Sequence, residues 1–195
     1  ASWQLALKRM FDFLCALLGI VFLSPIFVII YIVLLTQRDG HPIFSQERIG
    51  MNGKPFKILK FRTMRLDAEN GTPLLAQKED SRLTSTGKFL RKHHLDELPQ
   101  LWNVLKGDMS FVGYRPERQY FIDQIMTHDV RYQFLYQMRP GITSDATIYN
   151  GYTDTMEKML ERLRMDLEYL TNRSLFYDFK IIFLTMASIV TGKKF

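Results

Sequence analysis

The sequence predicts a mainly α-helical, membrane-attached protein with one small β-hairpin, and three observations carry that prediction. Phe13 to Leu35 is a run of 23 residues without a charge. As a helix it is roughly 34 Å long, enough to cover a bilayer core. Asn52-Gly53, a strong turn signal, lies between Ile43-Phe44 and the apolar-rich stretch Phe56 to Phe61. Met156, Leu160, Leu163, Leu167 and Leu170 recur at spacings of 4, 3, 4 and 3, the period of an amphipathic helix.

The apolar run reads first as a transmembrane helix. A cleaved signal peptide fits poorly, because the run is long and has no small-residue cleavage site. Two details oppose a straight span. Ser24-Pro25 sits almost at its centre, where proline removes a helix hydrogen bond and clashes with the preceding turn, so a sharp kink is expected. Lys8 and Arg9 precede the run and Arg38 and Arg48 follow it, so charge gives a span no orientation. The residues alone leave a kinked span and a helix that enters and leaves by one face evenly balanced.

Along the remaining chain, Pro42 to Phe61 reads as the hairpin and Arg65 to Gly87 as a polar loop. A helix is expected from about Leu98 through Leu105, stopped by Gly107. Tyr120 to Met138 is rich in aromatics and methionine, which suits a membrane interface. The periodic stretch from Met156 reads as ordinary core packing. Phe176 to Val190 is apolar but short for a span. No internal repeat or second domain boundary is visible. Residues 1–36 therefore form a membrane helix and 37–195 the body, as one functional unit.

The 195 residues suffice for one domain with a real core. The net charge of +6 suits an anionic partner: nucleic acid, lipid headgroups or a nucleotide. Cys15 is the one cysteine, so an internal disulfide and a thiolate metal site are excluded. It reads as a packing residue. The four histidines lack the spacing of a helical zinc site, and His93-His94 reads as solvated or supporting.

The chemistry concentrates in Leu95 to Gly113, L-D-E-L-P-Q-L-W-N-V-L-K-G-D-M-S-F-V-G. Asp96 and Glu97 stand among Lys88, Arg91, Lys92, Lys106 and Arg115. Adjacent acids in a basic field fit phosphate handling, one carboxylate as nucleophile and the other holding a divalent ion. Spacing alone favours a plainer role: Asp96 as a helix N-cap with Pro99 in the first turn.

That run resembles the signature of the bacterial sugar transferases called monotopic phosphoglycosyl transferases. The likeness covers nearly the whole chain. It takes in K-R-M-F-D-F at Lys8, Ser24-Pro25, F-K-I-L-K-F-R-T-M at Phe56, R-P-G-I-T at Arg139, and L-F-Y-D-F-K-I-I-F-L-T near the end. The resemblance implies transfer of a sugar phosphate from a UDP-sugar to polyprenyl (undecaprenyl) phosphate with release of UMP, the first membrane step of glycoconjugate synthesis. It implies Asp96 as the nucleophile of a covalent aspartyl intermediate and Glu97 as a magnesium ligand. Lys60, Arg62, Arg91, Arg115 and Arg139 match basic positions that would clamp the phosphates. Asp166 matches an acidic position, although in sequence it looks like an exposed helix residue, and Glu117 follows the Arg115-Pro116 motif.

The resemblance also implies a monotopic protein on the cytoplasmic face of the bacterial inner membrane. Its helix would be re-entrant, broken at Ser24 and Pro25, with amphipathic helices at the interface. Phospholipid is then a partner and nucleic acid is not; a homo-oligomer is left open.

Two departures stand out. Tyr114 replaces a proline of the pattern G-P-R-P, which loosens the loop and offers a ring to stack on a base or sugar. Ser144 to Tyr152, S-D-A-T-I-Y-N-G-Y, differs from the family segment and has Tyr152 in place of an arginine. Specificity carried there does not transfer. Among competing functions, a metal-dependent glycosyltransferase predicts a D-x-D motif, which is absent. A nucleic-acid binder gives no reason for the apolar run. A non-catalytic membrane-anchored scaffold explains the run and leaves Lys60, Asp96-Glu97 and Arg115 idle.

Overall fold

The computed structural model describes residues 2–191 apart from 38, 39, 70, 76, 78, 79 and 152. Arg38, Asn70, the Lys78-Glu79 pair, Tyr152 and residues 192–194 of the sequence reading lie outside the described residues.

The first element, α1, runs from Ser2 to Thr36 with Pro25 inside it. Pro25 has no N–H to offer the carbonyl four residues back, that of Val21. Ser24 Oγ donates to that same carbonyl at 2.8 Å. The Ser-Pro pair thus carries its own repair, which matters where no water can satisfy a bare carbonyl. Among the described residues α1 is the one helix long and apolar enough to cross a membrane.

Both ends of α1 pack on the body. At the N-terminal end Lys8 donates to Val112 O and Asp178, Arg9 to the carbonyls of Val104 and Leu105, and Asp12 accepts from Phe111 N. Ala16 packs with Ile58, Val104 and Met109. At the other end Ile30 and Leu34 pack with Phe61 and Leu90. Between them, Val21, Phe22, Ser24, Pro25 and Ile26 are exposed.

The hairpin is present as β1 (Ile43–Ile49) and β2 (Pro55–Phe61), antiparallel with Ser45 opposite Leu59. Asn52 and Gly53 take positive φ at its turn, 59° and 69°, the backbone an Asn-Gly turn supplies at least cost. Helix α2 (Ser85–Lys92) follows, capped by Thr84, whose hydroxyl accepts from Gly87 N. Its first turn, Ser85 to Gly87, lies within the stretch whose polarity predicts a loop. Leu95–Glu97 form a 3₁₀ turn that leads into α3 (Gln100–Lys106). Gly107 ends α3 at φ 98°, as its lack of a side chain allows.

Among the described residues, four further helices and one strand pair complete the body. Strands β3 (Ser110–Val112) and β4 (Gly141–Thr143) pair in parallel. Gly113 and Gly141 cross so closely that a Cβ on Gly141 would lie 2.1 Å from Gly113 N. The remaining helices are α4 (Gln119–His128), α5 (Asp145–Tyr149), α6 (Met156–Asn172) and α7 (Leu175–Thr191), with a 3₁₀ stretch Val130–Gln137 after α4.

Phe121, Ile122, Ile125, Tyr132, Leu135 and Met138 form the largest core with Met159 and Leu163 of α6. The aromatic-rich stretch expected at the membrane interface is therefore largely core, although Tyr120, Val130 and Phe134 remain exposed. Helix α6 packs as its period predicts. On α7, Ile181 is buried while Phe176 and Phe183 stand out at 82% and 72% exposure.

Candidate active site

The local fold separates the two carboxylates. Asp96 does not cap a helix: the residue at the N-cap of α3 is Pro99, and Asp96 sits inside the preceding 3₁₀ turn, 5% exposed. His94 opens that turn with left-handed backbone, φ 54°. Successive side chains on a tight turn point about 100–120° apart, so Asp96 and Glu97 meet different neighbours.

Glu97 faces the hairpin. Its Oε1 accepts from Lys60 Nζ at 2.9 Å and lies 3.7 Å from an Arg115 nitrogen. Burial pushes the Glu97 carboxyl up, but Lys60, Arg115 and His94 outweigh it and hold it at about 2. Burial in turn lowers Lys60 against the pull of Glu97. Asp96 shifts the other way. Burial and the charge of Glu97 raise it, while Lys60, Arg91 and His94 act to lower it.

The position of Lys60 has a clear origin. The buried Asn103 amide of α3 accepts from Leu59 N at 3.0 Å and donates to Lys57 O at 2.8 Å. It serves β2 as a third strand would and sets that strand against the start of α3. One terminal nitrogen of Arg91, whose charge acts on Asp96, and the side-chain amide nitrogen of Gln100 in the first turn of α3 are buried without hydrogen-bond partners. Buried donors without acceptors are costly, and these two stand on the helices before and after the turn that carries Asp96. Sequence reasoning passed over Gln100 as part of a motif. Its signal was polarity at a position four residues after Asp96, on the buried side of a short helix.

Not every predicted residue gathers here. Lys60, Arg91 and Arg115 join the dyad. Arg62 turns back on the hairpin, donating to His41 O at 2.9 Å and covering the Phe44 ring. Arg139 donates to Gly107 O at 2.9 Å, at the far end of α3, roughly 10 Å of helix away. It satisfies a terminal carbonyl there, as Arg9 does from α1.

Asp166 is 2% exposed, not the surface residue its sequence suggested, and Glu117 is 8% exposed. Burial raises Asp166 to about 8, against the pull of Arg162. Tyr114 is fully buried, its hydroxyl donating to Ile49 O at 3.4 Å. It fills the core and offers no ring to a ligand. In the divergent segment Ser144 caps α5, and Tyr177 donates to Asp145.

Comparison with known proteins decides the family. Residues 3–192 match the family model described as bacterial sugar transferase. The chain belongs to that family. A Klebsiella pneumoniae UDP-glucose:undecaprenyl-phosphate glucose-1-phosphate transferase is 42% identical over 185 residues, covering 94% of this chain and 40% of that protein. An Aeromonas hydrophila UDP-N-acetylgalactosamine-undecaprenyl-phosphate N-acetylgalactosaminephosphotransferase is 37% identical over 186 residues, covering 95% of this chain and 44% of its own. The Bacillus subtilis uncharacterized sugar transferase EpsL is 37% identical over 188 residues, 96% of this chain and 89% of EpsL. This sugar transferase chain thus spans less than half of the first two relatives and most of the third.

The Asp96-Glu97 pair also bears on a metal. Among the described residues no three His, Cys, Asp or Glu side chains gather as a ready cage. An ionised Glu97 with Asp96 beside it fits magnesium, which is usually held by one or two carboxylates together with substrate phosphates.

Proposed function

We propose that this sugar transferase moves a sugar phosphate from a UDP-sugar to polyprenyl phosphate at the cytoplasmic face of the bacterial inner membrane, releasing UMP. The observation that carries the reading is the division of the dyad. Glu97 is held ionised by Lys60 and Arg115, while Asp96 is buried in the turn before α3 under the charge of Arg91, one of whose buried nitrogens has no hydrogen-bond partner. The names of the relatives, which include undecaprenyl-phosphate sugar-phosphate transferases, support the same substrate pair.

In this reading an Asp96 carboxylate oxygen attacks the phosphorus that bears the sugar. The bond from that phosphorus to the bridging oxygen breaks, and UMP leaves with the electron pair. The aspartyl phosphosugar is a mixed anhydride, so the transfer potential is retained. An oxygen of polyprenyl phosphate then attacks the same phosphorus, forms the lipid diphosphate sugar and restores the Asp96 carboxylate. Magnesium bound at Glu97 would neutralise diphosphate charge. Arg91, Arg115 and Gln100 supply donors to phosphate oxygens, the two guanidinium groups as charge-assisted forks.

A membrane-embedded acceptor requires a membrane-docked site. The exposed stretch around Ser24-Pro25, with the body gripping α1 on both sides of it, supports a re-entrant arrangement in which that stretch enters the lipid. The protein incubated with magnesium, polyprenyl phosphate and a panel of UDP-sugars should release UMP from at least one. Release of UDP instead would identify a glycosyltransferase, and release of neither would leave a scaffold.

A further inference from the structure

Behind Arg115 lies a buried ionic cluster that the chemistry above does not use. Glu117 is gripped on both oxygens: Oε2 accepts from Arg48 of β1 at 3.0 Å and Oε1 from Arg162 of α6 at 3.2 Å. The Arg48 nitrogen that binds Glu117 also donates to Pro116 O at 3.2 Å. Ile49 N donates to Glu117 O at 3.1 Å. The residues flanking Arg115 are thus fastened to β1 and α6, while Arg115 itself reaches forward to Glu97.

Stability does not explain this construction. Two guanidinium groups share one carboxylate in the interior, and replacing buried ions by apolar side chains is often neutral or stabilising. Asp166 is a weak counterion for the pair, since burial pushes its carboxyl up to about 8 against the pull of Arg162. The Nε atoms of Arg48 and Arg162 have no hydrogen-bond partner. Arg115 lies near enough to both arginines to disfavour their charges. The same repulsion opposes any approach of the Arg115 guanidinium to them, and its Nη1 lies 3.7 Å from Glu97 Oε1.

We propose that Arg48 and Arg162 are positioning residues, which act through Glu117 and the Pro116 carbonyl to aim Arg115 at Glu97 and at the phosphate that meets it. The role of Arg115 on phosphate rests on the transferase reading; the aiming of its side chain does not.

The test uses Arg48→Met and Arg162→Met, each of which leaves Glu117 paired with one arginine, so both variants should fold with thermal midpoints at or near that of the wild type. In detergent micelles, the Arg115 Nε resonance, assigned by its loss in Arg115→Lys, should show a clear fall in order in each variant. UMP release should drop roughly 10- to 100-fold in kcat. Either substitution added to Arg115→Ala should cost nothing further. Unchanged Arg115 order in both variants, or losses that multiply in the Arg115→Ala background, would overturn the proposal. If the wild type releases no UMP from any UDP-sugar, the transferase reading fails, and the order of Arg115 alone judges the positioning role.

Discussion

The side-chain amide of Asn103 stands in for a neighbouring strand beside Leu59, accepting its N–H at 3.0 Å while donating to Lys57 O at 2.8 Å. Because Lys60 follows Leu59 directly, this one amide fixes the distance between the cation of β2 and the acid that precedes α3. Asn103→Leu keeps the size of the side chain and orphans two backbone groups, so it should cost roughly 1–3 kcal/mol of stability. UMP release by the folded fraction should also fall, because Lys60 is no longer held at Glu97. Thermal unfolding together with specific activity checks both, and full activity would separate Asn103 from the site.

The sequence made much of this legible and hid some of it for physical reasons. The hairpin showed through Asn52-Gly53 and the end of α3 through Gly107, since each depends on backbone conformations that few residues adopt. The parallel pair β3–β4 did not show, because three-residue strands have no period to read and Ser110 and Gly141 are far apart in the chain. The dyad and its cations were legible as a motif. The burial of Asp166 and Arg162 was not, because a charged residue on an amphipathic helix is ordinarily solvated. Arg62 and Arg139 share the motifs of the site residues, yet their side chains serve backbone carbonyls elsewhere.

Asp166 should leave a signature in the pH dependence of stability. Its native pKa is raised from 3.8 to about 8. Between those values the native state keeps a proton that the unfolded chain has lost, so stability falls as pH rises across that window. Asp166→Asn cannot ionise and should flatten this slope, leaving the variant relatively more stable at about pH 8 than at about pH 5. Thermal unfolding at both pH values decides it; parallel slopes would mean that Asp166 is ionised in the fold.

Glu97→Gln keeps the shape of the side chain and removes its charge. It should lower UMP release and shift the magnesium requirement upward, because the ion loses its ionised ligand. A magnesium titration of the variant checks this, and an unchanged midpoint would place the ion elsewhere.

The topology of α1 is open to labelling. With Cys15 replaced, cysteines introduced at Gln4 and His41 should react from the same side of the membrane, if the helix is re-entrant. Pro25→Ala restores a backbone donor to Val21 O and makes the Ser24 hydrogen bond redundant. It should favour a straighter helix and convert some molecules to a spanning form. Labelling of Gln4→Cys and His41→Cys from opposite sides in the parent protein would establish a true span. Unchanged topology in Pro25→Ala would show that docking of both ends to the body, rather than the proline, holds the arrangement.

Covalent catalysis by Asp96 is the central claim, and the mass of the intact protein tests it most directly. Incubation with magnesium and the UDP-sugar that supports UMP release, with no lipid acceptor, should add the mass of one phosphosugar to the wild type. Polyprenyl phosphate should then remove it. Asp96→Asn should fold, carry no adduct and release no UMP, because an amide does not form the anhydride. An adduct on the Asn variant, or UMP release by that variant at the wild-type rate, would contradict the assignment.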